Sequence, residues 1–292
     1  MKRKINASDI IFDSCNMILL LFLAIICLYP IYYCLVASLS NPTELAAAGG
    51  FMLWPHGVQF EAYRSVFANE EILTGYLNTL FYVGVGTCLN LVLTVMGAYV
   101  LSRKRLYLKR FLNLYVTLTM FVSGGLVPLY LVVKGLHLLN TRLAIVLTVA
   151  VNTYNMIMAR TYFQTIPASL EESARIDGAG ELKILFSIMV PLSGPIIAVL
   201  ALYYAVGHWN SWFREMIYLS DRSKYPIQLF LRKILILNEV SAASQDFSAD
   251  KMPIAESIKY ATIVVATVPI LCVYPFVQKY FVKGVMIGAV KE

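Results

Sequence analysis

Charge is scarce in this chain: Asp, Glu, Lys and Arg make up 14% of its 292 residues, against ~25% in ordinary soluble domains. That shortage excludes a typical soluble globular protein. With 59% hydrophobic residues it also excludes a disordered chain, which stays open for want of apolar surface to bury. Cysteine is sparse and unpaired in pattern. Cys15, Cys27, Cys34, Cys88 and Cys272 are odd in number, contain no C-x-x-C and lie in or beside apolar stretches, so they read as packing residues and offer neither a disulfide framework nor a zinc site. No glycine directly precedes a lysine, which rules out a G-x-x-x-x-G-K-[ST] phosphate loop. Gly84-Val85-Gly86 opens no dinucleotide-binding run and reads as close helix packing. His56 and His137 have no acidic partner at a useful spacing, so the sequence offers no catalytic set and no metal ligands.

What is present is length in apolar runs. Six stretches are long enough to cross ~30 Å of hydrocarbon at about 1.5 Å per residue: Met17 to Leu39, Tyr76 to Leu101, Phe111 to Val133, Ala144 to Phe163, Leu192 to Phe213 and Tyr260 to Phe281. The expectation is an all-α, polytopic membrane protein with six transmembrane helices in one domain, 1–292. Lys2, Arg3 and Lys4 precede a first run too long for a signal peptide and without a small-x-small cleavage site, so that run is read as a retained helix. Placing the N-terminus inside puts 14 of the 24 Lys and Arg residues on the cytoplasmic side, led by Arg103-Lys104-Arg105. Seven of the other ten fall in one long segment, 214–259, of a size that escapes much of the positive-inside rule. Both termini are therefore expected in the cytoplasm. The excess of 24 basic over 17 acidic residues follows from topology and needs no nucleic acid.

The span centres hold no Lys, Arg, Asp or Glu, and His208 is the one ionisable residue near a centre. Carriers that power themselves place charged groups there. Their absence argues against a self-powered carrier or channel and toward a neutral substrate. Prolines and glycines within the spans, among them Pro30, Gly86, Gly124, Gly125 and Pro128, suit close packing or broken helices.

Between the fourth and fifth spans, residues 164–191 form a polar segment with helical order. Ser169-Leu170-Glu171-Glu172 fits a capping box, Gly178 supplies a left-handed stop, and a second amphipathic run, Leu182 to Val190, leads to Pro191. Glu172, Ala174, Gly178, Ile188 and Pro191 match E-x-A-x-x-x-G-x(9)-I-x-x-P. This resembles the EAA signature of permease subunits of binding-protein-dependent ABC importers, with Ser173 in place of the second residue of EAA and Val190 in place of the Leu before Pro. The resemblance extends to Pro128-Leu129-Tyr130-Leu131, Asn140-Thr141, Val206 to Trp212 and Val282 to Lys291. It is closest to the second permease subunit of maltose and multiple-sugar importers, in the oligosaccharide and polysaccharide branch.

That resemblance implies a type I importer permease fold in a bacterial cytoplasmic membrane, surrounded by lipid. It implies a second homologous permease, two ATPase subunits, an extracellular solute-binding protein and a carbohydrate substrate as partners. ATP and Mg would be bound by the ATPase subunits, leaving this chain with no cofactor and no enzyme activity of its own. Glu171, Glu172, Ser173, Ala174, Asp177, Gly178, Ile188 and Pro191 would couple it to those subunits. Segment 214–259 would meet the binding protein. Because sugars are held by aromatic faces with amides and hydroxyls, the substrate-path candidates are Asn78, Asn90, Asn152, Tyr154, Asn155, Tyr203, Tyr204, Trp209 and Asn210. Another neutral or small solute is the alternative cargo.

Overall fold

Apolar runs of this length pair their backbone groups internally, because lipid offers no hydrogen bonds. The computed structural model describes residues 7–47, 50–103, 106–243 and 257–272, all helix, turn or loop with no strand among them. Lys2-Arg3-Lys4, Lys104-Arg105, most of Ala242 to Asp250, the end of the sixth predicted span and the C-terminal run Val282 to Lys291 lie outside the described residues. The chain divides into two compact units, Met1–Asn69 with Lys233–Val268, and Glu70–Arg232 with Pro269–Glu292.

In the first unit, helix α1 (Ala7–Leu39) runs 33 residues with Pro30 inside it, about 50 Å at 1.5 Å per residue. Its apolar side chains, Leu19, Phe22 and Leu28 among them, are exposed over most of its length, as a lipid-facing helix requires. Only its end is packed: Val36 and Ala37 join Leu45 of α2 (Pro42–Ala47) and Met52 in a small core. Backbone bonds from Asn41 to His56 (2.8 Å) and from Gln59 to Leu39 (2.9 Å) close the following loop, which continues into α3 (Glu61–Phe67).

The second unit is organised by α4 (Glu70–Ser102), again 33 residues. Asn78, Tyr82, Gly86, Asn90, Thr94, Ala98 and Ser102 are all buried. This is a row of every fourth residue, the ridge that helices use to interdigitate. Leu77, Leu80, Val92 and Met96 on the other sides are exposed, so the helix keeps its amides and hydroxyls on the buried side, beside Val95, Ala98 and Leu101, and presents apolar side chains outward.

The third and fourth predicted spans are each divided. Residues 109 to 135 form α5 (Lys109–Leu118) and α6 (Leu126–Gly135), separated by a loop in which Gly125 takes a positive φ of 81°. Residues 142 to 163 form α7 (Arg142–Leu147) and α8 (Thr153–Phe163). Asn152 caps the second of these by accepting the Asn155 N–H at 3.0 Å. Then come α9 (Ala168–Ile176), α10 (Glu181–Leu192) and α11 (Gly194–Trp209), the last two bent by 86° at Ser193.

Within α10 the turn over Leu185–Met189 is a π-helix. It lies where the ring of Pro191 would meet the carbonyl four residues back, and widening that turn gives the ring room. After α12 (Phe213–Tyr218) and a single 3-10 turn at Arg222–Lys224 follow α13 (Ile227–Ala243) and α14 (Ser257–Cys272). Among the described residues two helices are long and apolar enough to cross a membrane, or three if the bent pair α10 and α11 counts as one span.

Candidate coupling helix and intramembrane polar cluster

The EAA segment folds as two short helices around a glycine turn, with one correction to its start. Ser169 and Glu172 form no capping box: Pro167 occupies the N-cap with no side-chain cap bond, and the helix begins at Ala168. Pro167, held extended at φ −57° and ψ 129°, moves the entry upstream, so Ser169 already lies in the first turn. At the other end Gly178 takes φ +77°, and Ala179 N–H reaches back to the Ala174 carbonyl at 2.9 Å, the six-residue closure of a Schellman stop.

The two faces of α9 are chemically distinct. Ala174 is buried among Phe163, Leu185 and Met189, where its small size lets the helix lie close. Glu171 is half-buried and pairs with Arg103, just past the end of α4, and with Arg175 at 2.8 Å. Arg175 also pairs with Glu181 at 2.6 Å, which accepts the Tyr99 hydroxyl at 2.6 Å. The Arg103 guanidinium lies 4.4 Å from the centre of the Tyr99 ring. Burial draws the Arg103 guanidinium below its ordinary value, but arginine stays charged at physiological pH. A chain of five side chains thus fastens the short helix pair to the end of α4. Facing outward are Glu172, Ser173, Asp177 and Gly178, with Ile176 at 87% exposure. Ile188 is half-buried in the π-turn, and Pro191 is exposed.

Deep in the second unit the polar candidates serve the backbone. Asn90 is fully buried and four residues, about 6 Å, from the midpoint of α4 at Gly86. Its Nδ2 donates to the carbonyls of Val149 (2.6 Å) and Ala150 (2.9 Å), freed by the break between α7 and α8. With the amide so oriented, its Oδ1 faces His208 Nε2 at 2.7 Å, which therefore carries the proton. A Cβ at Gly86 would fall on the His208 ring, so only glycine lets α11 come this close. One turn along, the Tyr204 hydroxyl meets Thr94 Oγ1 at 2.6 Å and accepts the Asn152 N–H at 3.3 Å.

These bonds gather Asn90, Asn152, Asn155 and Tyr204 around the break between α7 and α8, whereas Asn78 and Trp209 are engaged elsewhere. Asn78 donates to the carbonyls of Ser223 (2.7 Å) and Tyr225 (3.1 Å) and accepts from Arg142 at 2.8 Å. Trp209 is buried with its ring 6.4 Å from that of Tyr76. Tyr154, Tyr203 and Asn210 are exposed.

The structure adds residues to which sequence reasoning assigned no such place. Asn140, at φ +60°, accepts the N–H groups of Ser220 and Asp221 on its side chain and Lys224 Nζ on its carbonyl at 2.9 Å. With Asn78 and the Tyr82 hydroxyl, which donates to Lys224 at 2.9 Å, it clamps residues 218–225. Asp221 accepts from the hydroxyl (2.8 Å) and the N–H (3.0 Å) of Ser223, and these bonds hold its carboxyl below the usual carboxylate range. Arg103 and Arg142 work across about 65 positions of sequence, a distance over which no local pattern reports.

Long apolar helices with polar interiors, broken segments closed by buried amides and an amphipathic helix pair with a charged outer face fit a multi-pass membrane protein. The family model described as binding-protein-dependent transport system inner membrane component matches residues 90–287, and the chain belongs to that family. Two Bacillus subtilis proteins are each 40% identical to it. Protein LplC matches over 96% of this chain and 95% of its own, and the polygalacturonan/rhamnogalacturonan transport system permease protein YtcP over 96% and 98%. A solved bacterial ABC transporter involved in the import of the acidic polysaccharide alginate contains a chain that superposes with a TM-score of 0.86 at 35% identity, covering 96% of this chain and 100% of that one. The protein is a multi-pass permease component of an ABC importer.

Proposed function

We propose that this permease imports an oligosaccharide or polysaccharide fragment, working with a second permease, two ATPase subunits that bind ATP and Mg, and an extracellular binding protein. In this reading the chain crosses the membrane six times with both termini in the cytoplasm, and the breaks in its third and fourth spans are interruptions within spans. The observation that carries the coupling role is the two-sided character of α9. Its inner face is locked by Ala174 and the Arg103–Glu171 pair, while Glu172, Ser173, Asp177 and Gly178 are offered outward. Such a helix has fixed orientation and a free charged surface, which is what docking into a groove of an ATPase subunit requires. Ala174 supports the contact from behind.

The carbohydrate assignment is supported by the relatives, which are named for polygalacturonan/rhamnogalacturonan transport and for alginate import. Uncharged span centres suit a neutral glycan, yet a permease from an importer of an acidic polysaccharide shares 35% of its residues with this chain. An acidic glycan is therefore as compatible as a neutral one. The test is reconstitution of the permease pair with its ATPase subunits and binding protein in proteoliposomes, followed by ATPase and uptake assays with neutral and uronate oligosaccharides. Glycan-stimulated hydrolysis in the native importer, abolished by Gly178→Pro, is the expected result. Stimulation by no glycan would refute the substrate class, and full stimulation of Gly178→Pro would refute the coupling role.

A further inference from the structure

The breaks in the third and fourth predicted spans lie side by side. Thr119, at the start of the first break, and Thr153, at the end of the second, share a hydrogen bond of 2.9 Å between their hydroxyls. The depth of the second break is set by Asn90, which holds the Val149 and Ala150 carbonyls about 6 Å along the axis from the midpoint of α4. With α4 spanning a bilayer centred on its midpoint, this unwound backbone lies near the bilayer centre. Asn90 and Tyr204 satisfy its inner side. On its outer side Val151 and Asn152 are exposed, as is every residue from Thr119 to Gly125. The N–H groups of Ser123, Gly124 and Val151 have no partner among the described residues.

Irregular backbone with open N–H groups is not tolerated against lipid tails, where each unmet group costs several kcal/mol; it occurs only where it is buried in protein or lines a water-filled cavity. From this we propose that the paired breaks form the wall of the translocation path and a subsite for glycan hydroxyls, with Ser123, Asn152 and Tyr154 as its side-chain contacts. The inference rests on the carbohydrate reading above for its ligand, and on the helix breaks alone for its place in the path. The chemistry fits a polyol. Backbone N–H groups donate, the Ser123 hydroxyl both donates and accepts, the exposed Asn152 amide supplies a donor, and the Tyr154 ring, 55% exposed, gives an apolar face for a sugar. Neutral groups of this kind hold hydroxyls weakly enough for a cargo to pass.

The experiment uses the complete importer in proteoliposomes, with the five cysteines of this chain and those of its partner subunits replaced, and single cysteines introduced as Ser123→Cys, Asn152→Cys or, as a lipid-facing control on α4, Val92→Cys. A membrane-impermeant thiosulfonate reacts only with a thiol that ionises in water, so labelling at 123 and 152 should exceed that at 92 by about tenfold or more. Transported glycan with binding protein should then slow labelling at both positions. Labelling no faster than at position 92 in every nucleotide state would overturn the proposal, showing the breaks to be sealed against the second permease. Fast labelling unaffected by glycan would overturn the subsite. A failure of the carbohydrate reading itself is visible separately, as the absence of glycan-stimulated hydrolysis in the native importer without any cysteine.

Discussion

Replacing Asn90 by leucine keeps the branched outline of the side chain, with bulkier methyl ends, and removes its hydrogen bonding. The Val149 and Ala150 carbonyls and the His208 N–H lose their partner together. A buried group left unmet costs about 1–3 kcal/mol in general, whereas interhelical bonds within membranes average only ~0.6 kcal/mol because the unfolded chain finds substitutes. Three groups bracket the loss between about 2 and 9 kcal/mol on those scales. The lower half of that range is expected, since the His208 side chain can rotate to relieve its lost bond, which leaves the two carbonyls as the main cost. Asn90→Leu should destabilise the permease by about 2–5 kcal/mol, and Asn90→Asp by at least as much at neutral pH, because a carboxylate repels the Val149 and Ala150 carbonyls that the amide NH2 had met. Equilibrium unfolding in mixed micelles with increasing SDS, followed by far-ultraviolet circular dichroism, measures both. If Asn90→Leu unfolds within ~0.5 kcal/mol of the native protein, a threshold below even one average membrane hydrogen bond, the clamp is not holding the break and the reasoning fails.

Other expectations concern the two ends of the second unit. Gly178→Ala adds a Cβ in open space but at φ +77°, so it should cost about 1–2 kcal/mol of local order. It should reduce coupled transport less than Gly178→Pro does, as read from uptake per ATP hydrolysed. A double-mutant cycle of Arg103→Gln and Glu171→Gln should show a coupling energy of about 1–2 kcal/mol in stability, together with loss of ATPase stimulation in both single variants; additive effects would mean the pair does not orient α9. For the outer clamp the sign follows from the Asp221 carboxyl, whose hydrogen bonds from Ser223 lower it. Its contribution is present above the unfolded value of about 3.9 and is lost as pH falls through the lower folded value. The protection of the Ser223 amide relative to its intrinsic exchange rate should fall in that acidic window, and Asp221→Asn, which keeps an acceptor, should remove the dependence.

Much of this architecture was legible because it is written in local pattern. The EAA spacing places α9, its glycine stop and α10, and the left-handed Gly178 stands where its residue type demanded. The apolar runs locate α1, α4 and α11. Continuity of the third and fourth spans was the weaker inference, since Ser, Thr, Gly and Val pass an apolar count whether the backbone is helical or not. Signals for the breaks were nonetheless there: Ser123-Gly124-Gly125 is a turn sequence, and Asn152-Thr153 is a capping pair before a new helix. The chemistry of Asn90 suggests a cargo contact, because a sequence shows that an amide lies in a span and not which carbonyls it meets. Arg103 and Glu171 are 68 positions apart, and their meeting is decided by how α4 ends beside α9. The misplaced capping box has a similar origin, since two adjacent start signals compete and Pro167 starts the helix first.

The right-angled turn at Ser193 has a mechanical meaning. With α10 at 12 residues and α11 at 16, the arms of this bent pair are about 18 Å and 24 Å long at 1.5 Å per residue. They form a bell crank. If the corner acts as a fulcrum and the 86° angle is kept, a 3 Å sideways pull at the Glu181 end turns the pair by about 10° and swings the Trp209 end by about 4 Å, from the ratio of those arm lengths. Motion along one direction at one end of the pair is thereby returned, slightly enlarged, at right angles at the other.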